Sequence, residues 1–375
     1  MKKKNLIVFG TRPEAIKMAP LVKEFLKYSN KFETKVCITA QHREMLDQVL
    51  DFFEITPDYD LDLMKPNQNL YTLTADIITN LKSILEEFKP DYVYVHGDTT
   101  TTMATSIAAF YSGAKVCHVE AGLRTFNKRS PFPEEINRSI AGRISDYHFS
   151  PTNTSKQNLL NENISERDIL VTGNTVIDAL QFSAEKVTSS SFKNEEIESL
   201  KEIVDNKKKL IVVTGHRREN HGQGFINICS ALKQIASNNP DVQIIYPVHL
   251  NPNVLKPVYE LLDGIDNVQL IAPLSYPSFV WLMEKSYLII TDSGGVQEEA
   301  PSLGKPVLVM RDTTERPEAV EAGTVVLVGT NKNKIIEEAE RLLTDTIAYE
   351  NMSRLHNPYG DGKACSRIAS FIKNL

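Results

Sequence analysis

The sequence predicts an α/β protein built from two Rossmann-like, doubly wound domains that face each other across a cleft. Short apolar runs, which suit buried parallel strands, alternate with longer amphipathic segments that suit helices. This alternation occupies the first half of the chain and is repeated in the second half. A length of 375 residues also exceeds what one hydrophobic core usually serves, so two domains are expected.

Each predicted element follows from its composition and spacing. Strands are short aliphatic or aromatic runs that end at glycine or a polar residue, and helices carry apolar residues every three or four positions. The first half contains the strand Leu6–Gly10, the helix Ala15–Tyr28, the strand Lys35–Thr39, the helices Arg43–Phe53 and Leu73–Phe88, the strand Tyr92–His96, the helix Thr100–Tyr111 and the strand Lys115–Glu120. The second half contains the strand Leu210–Thr214, the helix Phe225–Asn238, the strands Val242–Pro247, Val268–Ile271 and Tyr287–Thr291, the helix Gln297–Ser302, and the strands Pro306–Met310 and Thr324–Leu327.

Composition and charge argue against several classes of protein. A net charge of -6 disfavours a general nucleic-acid binder, which needs a broad basic surface. No apolar stretch reaches membrane-spanning length, and the first apolar run stops at Gly10 without a leader cleavage site. The cysteines are far apart and without CxxC spacing, which favours buried free thiols in a reducing cytosol: Cys37, Cys117, Cys229 and Cys365.

No cofactor is expected from the sequence. The eight histidines do not form an HxxxH pattern or a Cys/His set, so a metal site is not predicted. The first glycine loop, Gly10 to Glu14, lacks the GxGxxG spacing of dinucleotide-binding folds, which disfavours NAD.

The residues that come directly after the predicted strands are unusually polar. Ligands of open parallel sheets collect at this edge, so these residues are the first candidates for chemistry. Arg12 or Lys17 alone would more often be a surface cation, and His216 alone a capping or core histidine. Their repeated placement in both halves favours a shared cleft. The segments are Gly10-Thr11-Arg12-Pro13-Glu14 with Lys17, His96-Gly97-Asp98-Thr99, His118-Val119-Glu120-Ala121-Gly122 and Gly215-His216-Arg217-Arg218-Glu219-Asn220.

The segment Thr291–Glu299 is the most informative of these strand ends. Ser293, Gly294 and Gly295 follow an apolar strand and open a helix, where free backbone N–H groups suit a phosphate. Glu299, one turn later, could accept hydrogen bonds from both ribose hydroxyls. An ordinary strand-to-helix turn is the alternative explanation.

Two further segments add charged candidates. Pro131–Arg138 predicts a helix start, with an apolar stripe of isoleucines facing the core and Glu134 and Arg138 on another face. Two interpretations are open. Either Glu134 and Arg138 form a simple i,i+4 ion pair on the helix surface, or Glu134 is a third carboxylate of the site and Arg138 sets its charge. Arg316 follows the predicted strand that ends at Met310 and suits a phosphate or the uridine side of a nucleotide.

At this level of detail the chain resembles the non-hydrolysing UDP-N-acetylglucosamine 2-epimerases from end to end. Several of the shared blocks are long and unusual in composition, which makes chance agreement negligible. They are GTRPEAIKMAP, TAQHREMLDQVL, HGDTTTT, HVEAGLRT, PFPEEINR, VTGNTVIDAL, TGHRREN, HLNPNV, TDSGGVQEEAPSLGKPVL and RDTTERPEAV.

The resemblance implies the GT-B arrangement of two Rossmann-like domains and a homodimer, and a cytoplasmic location is expected from the free thiols. Residues 1–172 would form the first domain, joined by a returning C-terminal helix in 360–375, and residues 173–359 would form the UDP-binding domain. The tail Ala364–Leu375 would be that returning helix.

The resemblance also implies a role for each site residue. Asp98, Glu120 and Glu134 would be the acid–base groups, and Arg138 and His216 would support them. The residues implied to bind substrate are Ser293, Gly294 and Gly295 at the diphosphate, Glu299 at the ribose, Phe279 near the uracil, and Arg12, Lys17, Arg316 and His216 at the charged part of the ligand.

The implied reaction interconverts UDP-N-acetylglucosamine and UDP-N-acetylmannosamine for a cell-surface polysaccharide pathway. UDP would leave carbon 1 to give a 2-acetamidoglucal and would then add back. The sequence leaves open which carboxylate is the base and which the acid. The alternatives are a hydrolysing epimerase, a GT-B glycosyltransferase and a noncatalytic nucleotide-sugar sensor.

Some members of this family are regulated by substrate bound beside the active site. The regulatory residues are a Gln-His-Arg-Gln block, an arginine on the following loop and a histidine that matches His249. Here the block is Gln41-His42-Arg43-Glu44, and Asn67-Gln68 stands where the arginine is expected. The resemblance therefore leaves open whether Gln41, His42 and His249 form a regulatory site in this chain.

Overall fold

Two parallel β-sheets, one in each half of the chain, organise the fold. The computed structural model describes residues 2–39, 43–63 and 68–375. The chain divides into two units, residues 1–179 with 359–375 and residues 180–358, which are called domain 1 and domain 2 below. Each unit has a sheet and a core of its own, as the alternation of strands and helices predicts.

Among its described residues, domain 1 contains a sheet of seven parallel strands. The strands are β1 (Lys3–Phe9), β2 (Phe32–Ile38), β3 (Tyr59–Asp60), β4 (Tyr92–His96), β5 (Lys115–Val119), β6 (Tyr147–Ser150) and β7 (Ile169–Val171). The helices are α1 (Arg12–Leu26), α2 (Arg43–Phe53), α3 (Leu70–Phe88), α4 (Thr100–Ser112), α5 (Glu134–Ile144) and α6 (Asn153–Asn161). The strand order is β3-β2-β1-β4-β5-β6-β7, so the loops after β1 and β4 leave the sheet side by side at its switch point.

Domain 2 repeats this design with a six-stranded parallel sheet in the described part of the chain. The strands are β8 (Lys209–Thr214), β9 (Val242–Pro247), β10 (Val268–Ile271), β11 (Leu288–Thr291), β12 (Val307–Val309) and β13 (Val325–Leu327). The helices are α7 (Thr175–Thr188), which enters from domain 1, α8 (Glu195–Ile203), α9 (Gln223–Asn238), α10 (Pro252–Leu262), α11 (Tyr276–Lys285), α12 (Gly294–Glu299), α13 (Pro317–Glu321), α14 (Lys332–Thr344) and α15 (Thr346–Ser353). The order β10-β9-β8-β11-β12-β13 places the switch point between β8 and β11.

The strands are buried on both faces, as parallel strands between helices must be. Consecutive residues of β1, Leu6 and Ile7, are both fully buried although their side chains point to opposite faces. The same holds for Ile211 and Val212 of β8. The predicted burial of the four cysteine thiols is confirmed, and each is free in the described structure.

The last helix of the chain, α16 (Ala364–Asn374), belongs to domain 1. The carboxylate of Asp178 accepts hydrogen bonds from the backbone N–H groups of Ala364 (3.1 Å) and Cys365 (2.9 Å), which caps the start of α16. The helix then contacts α1. The expected return of the C-terminal helix to the first domain is confirmed.

Several elements differ from the predicted ones. Strands β3, β6 and β7 are short, and β6 carries a buried histidine, so none of them gives a clear apolar run in the sequence. Helix α12 begins at Gly294, three residues before the predicted start, and continues as a 3₁₀ turn through Leu303. None of the described helices is both long enough and apolar enough to span a membrane.

Candidate active site

Glu14 joins two loops at the carboxyl edge of the domain 1 sheet. Its Oε2 accepts hydrogen bonds from the backbone N–H groups of Gly10 (3.0 Å) and Thr11 (2.8 Å), and its Oε1 accepts one from the Thr99 hydroxyl (2.6 Å). Thr11 accepts from the Glu14 N–H in return, so the pair forms a capping box at the start of α1. The buried carboxylate therefore holds the start of α1 beside the loop that carries Asp98.

Glu120 lies directly after β5, next to two nitrogen-bearing side chains. The Lys17 ammonium, from α1, donates a hydrogen bond to Glu120 Oε2, and His96 Nε2, at the end of β4, lies 3.1 Å from the same oxygen. Burial raises the pKa of the Glu120 carboxyl, but the charge of Lys17 and the interaction with His96 outweigh that effect. The pKa of Glu120 is therefore well below its usual range, and the group is ionised at neutral pH.

The backbone around Glu120 is unusual as well. Its φ of 62° lies in the left-handed region, which costs a residue other than glycine about 1–2 kcal/mol. Two residues earlier, His118 Nε2 donates to the Gly97 carbonyl oxygen over 2.7 Å, and burial lowers the pKa of His118 to about 3. A neutral histidine thus ties the Glu120 strand to the neighbouring loop.

Asp98 and Arg138 form the second charged pair of domain 1. The Arg138 guanidinium donates to Asp98 Oδ2 and, over 3.2 Å, to Glu135 Oε2. The amide of Asn137 donates to the Asp98 backbone carbonyl over 3.0 Å, so α5 holds both the side chain and the main chain of this loop.

The predicted ion pair between Glu134 and Arg138 is wrong. Helix α5 begins at Glu134 and buries Glu135 and Asn137, whereas the isoleucines of the predicted core stripe are only half-buried. Glu135 accepts hydrogen bonds from the N–H groups of Thr125 (3.0 Å) and Phe126 (2.8 Å), which bring its carboxylate into reach of Arg138. Glu134 is half-buried and makes no hydrogen bond or ion pair with any residue that the structure describes.

In domain 2, Gly294 begins α12 beside two guanidinium groups. A β-carbon placed on Gly294 would lie 3.8 Å from the Nη2 atoms of both Arg217 and Arg316. Ser293 is the N-cap residue, and its N–H donates to the Thr291 hydroxyl over 2.9 Å. Glycine therefore leaves open the space between two cations at a helix start, where an anion would be stabilised.

Glu298 and Glu299 lie at the other end of α12 and have different surroundings. The Arg316 guanidinium donates to Glu298 Oε1, and the Glu298 side chain is only 3% exposed. Glu299 Oε2 would lie 3.8 Å from a β-carbon on Gly295, which places its carboxylate over the first turn of the helix. Glu298 holds Arg316, and Glu299 faces Gly295.

His216 follows β8 and stacks on His249, with 5.5 Å between ring centroids and 20° between ring planes. Its Nδ1 lies 3.4 Å from Oδ1 of Asp292, the residue that follows β11. Burial lowers the pKa of the His216 imidazole, Asp292 opposes this by raising it, and His249 and Arg217 lower it further. The net pKa is below the usual value, so His216 is neutral at pH 7.

Phe279 lies in the first turn of α11 and is half-buried. The start of this helix is held by Glu196 of α8, whose carboxylate accepts hydrogen bonds from the N–H (3.1 Å) and the hydroxyl of Ser275. The aromatic side chain thus stands on a helix that is anchored to its neighbour.

The predicted site residues divide between the two domains. The domain 1 residues are Arg12 and Lys17 on α1 with Asp98, Glu120, Glu134 and Arg138, of which Lys17 contacts Glu120 and Arg138 contacts Asp98. The domain 2 set contains His216, Phe279, Ser293, Gly294, Gly295, Glu299 and Arg316. Of the regulatory candidates, His249 contacts His216, whereas Gln41, His42 and Asn67 lie outside the described residues. Across residues 2–39, 43–63 and 68–375, no group of three or more His, Cys, Asp and Glu side chains could hold a metal ion.

A sequence model of one family, described as UDP-N-acetylglucosamine 2-epimerase, matches residues 24–373. The chain belongs to the UDP-N-acetylglucosamine 2-epimerase family. Escherichia coli strain K12 has a curated UDP-N-acetylglucosamine 2-epimerase that is 62% identical over 371 residues, covering 99% of this chain and 98% of that protein.

Two solved structures align with nearly the whole chain. The Neisseria meningitidis UDP-GlcNAc 2-epimerase bound to UDP-GlcNAc is 54% identical, with a TM-score of 0.88, and the alignment covers 99% of this chain and 100% of that one. The S. aureus MnaA–UDP structure is 45% identical, with a TM-score of 0.85, and the alignment covers 99% and 96%. These similarities confirm the family and the Rossmann-like fold that the motifs predict.

The sequence does not distinguish three residues of the candidate site. His96 and Arg217 stand inside the quoted strand-end segments, but nothing in their spacing distinguishes them from surface residues. Asp292 is the first residue after β11 and comes directly before Ser293. A residue at this end of a switch-point strand borders the loops that follow both neighbouring strands, so its position could have identified Asp292 as a site residue. Their roles depend on contacts between loops that are distant in sequence.

Proposed function

We propose that this epimerase interconverts UDP-N-acetylglucosamine and UDP-N-acetylmannosamine without net hydrolysis. The observation that carries the proposal is the ionised Glu120 carboxylate, buried beside Lys17 and His96 in the same domain as a second charged pair, Asp98 and Arg138. Several carboxylates of controlled charge suit a reaction that removes a proton and returns one.

The substrate-binding proposal rests on domain 2. Gly294 borders Arg217 and Arg316, a pair of guanidinium groups that suits the diphosphate of a nucleotide sugar. Glu299, beside Gly295, suits the ribose hydroxyls, and Phe279 offers an aromatic surface to uracil. We propose that these domain 2 residues hold the UDP part of the substrate.

The proposed chemistry explains why a leaving group and two proton-transfer groups are needed together. Carbon 2 of the sugar is not next to a carbonyl, so its proton is not acidic in the ground state. In the proposed elimination, a carboxylate removes that proton, the carbon 1–oxygen bond breaks, and its electron pair leaves with UDP to give a 2-acetamidoglucal. Protonation of carbon 2 on the opposite face and return of the UDP oxygen to carbon 1 complete the inversion.

Cations and carboxylates have different roles in this scheme. Guanidinium groups stabilise the negative charge that develops on departing UDP. We propose Asp98, Glu120 and Glu134 as the proton-transfer groups, with Arg138 paired to Asp98 and Lys17 paired to Glu120. Arg12 and His216 are proposed to contact the diphosphate side. By the same resemblance we propose a homodimer that acts in the cytoplasm.

A product assay tests whether UDP stays with the sugar. Purified protein is incubated with UDP-N-acetylglucosamine, and the UDP-sugars, free UDP and free N-acetylmannosamine are quantified by chromatography. We expect UDP-N-acetylmannosamine to accumulate to a constant ratio, with free UDP at less than about one molecule per hundred turnovers. The same ratio is expected when the reaction starts from UDP-N-acetylmannosamine.

The other outcomes of this assay identify the alternatives. Free UDP and N-acetylmannosamine in equal amounts would indicate a hydrolysing epimerase. Turnover that requires an added sugar acceptor would indicate a glycosyltransferase. Binding of UDP-N-acetylglucosamine without any product would contradict the proposed function and favour a nucleotide-sugar sensor.

A further inference from the structure

Asp292 is a fully buried carboxylate at the switch point of the domain 2 sheet. Its Oδ2 accepts hydrogen bonds from the backbone N–H groups of His216 (2.9 Å) and Arg217 (2.8 Å) and from the Asn220 amide (3.2 Å). One oxygen of the carboxylate thus holds the loop that follows β8 against the end of β11.

The other oxygen, Asp292 Oδ1, is buried and has no hydrogen-bond partner among the described residues. An unsatisfied buried carboxylate oxygen is costly, and native structures usually supply a donor. Nδ1 of His216 lies 3.4 Å away, and the His216 side chain is 45% exposed. A small rotation of that ring would bring Nδ1–H into a hydrogen bond with Oδ1.

We propose that Asp292 is a positioning residue for His216: Oδ1 accepts a hydrogen bond from Nδ1–H and thereby fixes the tautomer and the orientation of the imidazole. The stacked ring of His249 limits the remaining rotation of His216. Nε2 is then the nitrogen that is free to meet a ligand.

The consequence for the reaction rests on the proposed function. When a diphosphate approaches, Nε2 can take up a proton, and the imidazolium is stabilised on one side by the ligand and on the other by Asp292. His216 would then donate a hydrogen bond from Nε2 to UDP as the carbon 1–oxygen bond breaks. An Asp–His pair of this kind needs no metal ion or added cofactor.

The groups that act on the charge of His216 come from three loops. Asp292 favours the imidazolium, whereas His249 and Arg217 disfavour it. The Tyr246 hydroxyl donates to the Gly215 carbonyl oxygen over 3.3 Å, and burial keeps its pKa far above the neutral range, so it carries no charge. Of Asp292, His249 and Arg217, Asp292 is therefore the group that carries a negative charge and favours the imidazolium.

The first test measures the His216 tautomer in the unmodified protein. Two-bond proton–nitrogen NMR of protein labelled with ¹⁵N-histidine reports which ring nitrogen carries the proton, and the His216→Gln variant identifies the signal. We expect the neutral imidazole to be protonated at Nδ1. A neutral ring protonated mainly at Nε2 would overturn the proposal, and this result does not depend on any catalytic activity.

The second test compares two variants that both alter the Asp292 contacts. Asp292→Asn removes the negative charge, and we expect the His216 titration midpoint to fall by about one pH unit. Asn220→Ala removes one of the hydrogen bonds to Oδ2 but keeps the charge, so the midpoint should stay unchanged. Equal midpoints in Asp292→Asn and the unmodified protein would overturn the proposal.

A kinetic measurement links this inference to turnover. The pH profile of epimerisation should shift in Asp292→Asn in the same direction as the His216 titration, with kcat reduced more than KM is raised. If the chain has no epimerase activity, the proposed function fails while the tautomer and titration results still decide the role of Asp292. A lower kcat without a shift of the pH profile would indicate a structural role and overturn the proposal.

Discussion

Replacing Glu120 with Gln is expected to lower kcat for epimerisation by about 10³-fold, the middle of the range for loss of a general acid or base. Glutamine keeps the size of the side chain but cannot accept a proton. It also removes the negative charge that neutralises Lys17 and attracts His96. Initial rates at saturating substrate measure the effect, and KM should change by much less than kcat.

A matched variant shows whether the loss of any Lys–Glu ion pair is enough to lower kcat. Glu166 pairs with Lys156 over 2.7 Å, is largely exposed, and lies just before β7. Glu166→Gln should retain kcat within about two-fold, because exposed pairs contribute little. A Glu120→Gln protein that folds normally and keeps more than a tenth of the original kcat would contradict the assignment of Glu120.

Replacing Arg316 with Met is expected to cause two separable losses. The buried Glu298 carboxylate loses its guanidinium partner, which should lower the free energy of unfolding by about 3–5 kcal/mol. The diphosphate loses one of the two guanidinium groups beside Gly294, which should lower kcat/KM by about 10²- to 10³-fold. Calorimetric unfolding and steady-state kinetics measure the two effects independently.

The double variant Arg316→Met/Glu298→Gln decides between these causes. Removing the buried negative charge should restore most of the stability that the single variant loses. Activity should remain as low as in Arg316→Met, because the cation is still absent. If the double variant regained activity along with stability, Arg316 would act only by stabilising the fold, and its proposed contact with the diphosphate would be wrong.

The strand ends could be predicted from the sequence because parallel sheets follow a simple geometric rule. Once the apolar runs are assigned to strands, the residues after them must lie at one edge of a sheet. This is why His96, Asp98 and Glu120 come together in domain 1, and His216 and Ser293 in domain 2. The rule needs only strand positions, which the apolar runs provide.

The partner of Arg138 could not be predicted in this way. On a helix, Glu134 and Glu135 are both close enough to Arg138 in sequence to form a pair with it. The choice depends on the Thr125–Phe126 backbone, whose N–H groups bind Glu135 and turn that face of α5 inward. Such a contact depends on a loop conformation that has no periodic signature in the sequence.

The link between His216 and Asp292 depends on tertiary structure for the same reason. The two residues are far apart in the chain and become neighbours only because β8 and β11 pair in parallel, with Thr214 opposite Thr291. The sequence identified both segments as strand ends but not their pairing. Strand order is therefore needed to determine which of the predicted strand-end residues lie next to each other.

The most direct test of the proposed reaction is proton exchange at carbon 2 of the sugar. Purified protein is incubated with UDP-N-acetylglucosamine in deuterated water, and proton NMR follows carbon 2 of both UDP-sugars. The elimination mechanism predicts that deuterium enters carbon 2 as UDP-N-acetylmannosamine appears, because the removed proton exchanges with solvent at the carboxylate. Formation of UDP-N-acetylmannosamine with its original carbon-2 hydrogen, or binding without exchange, would contradict it.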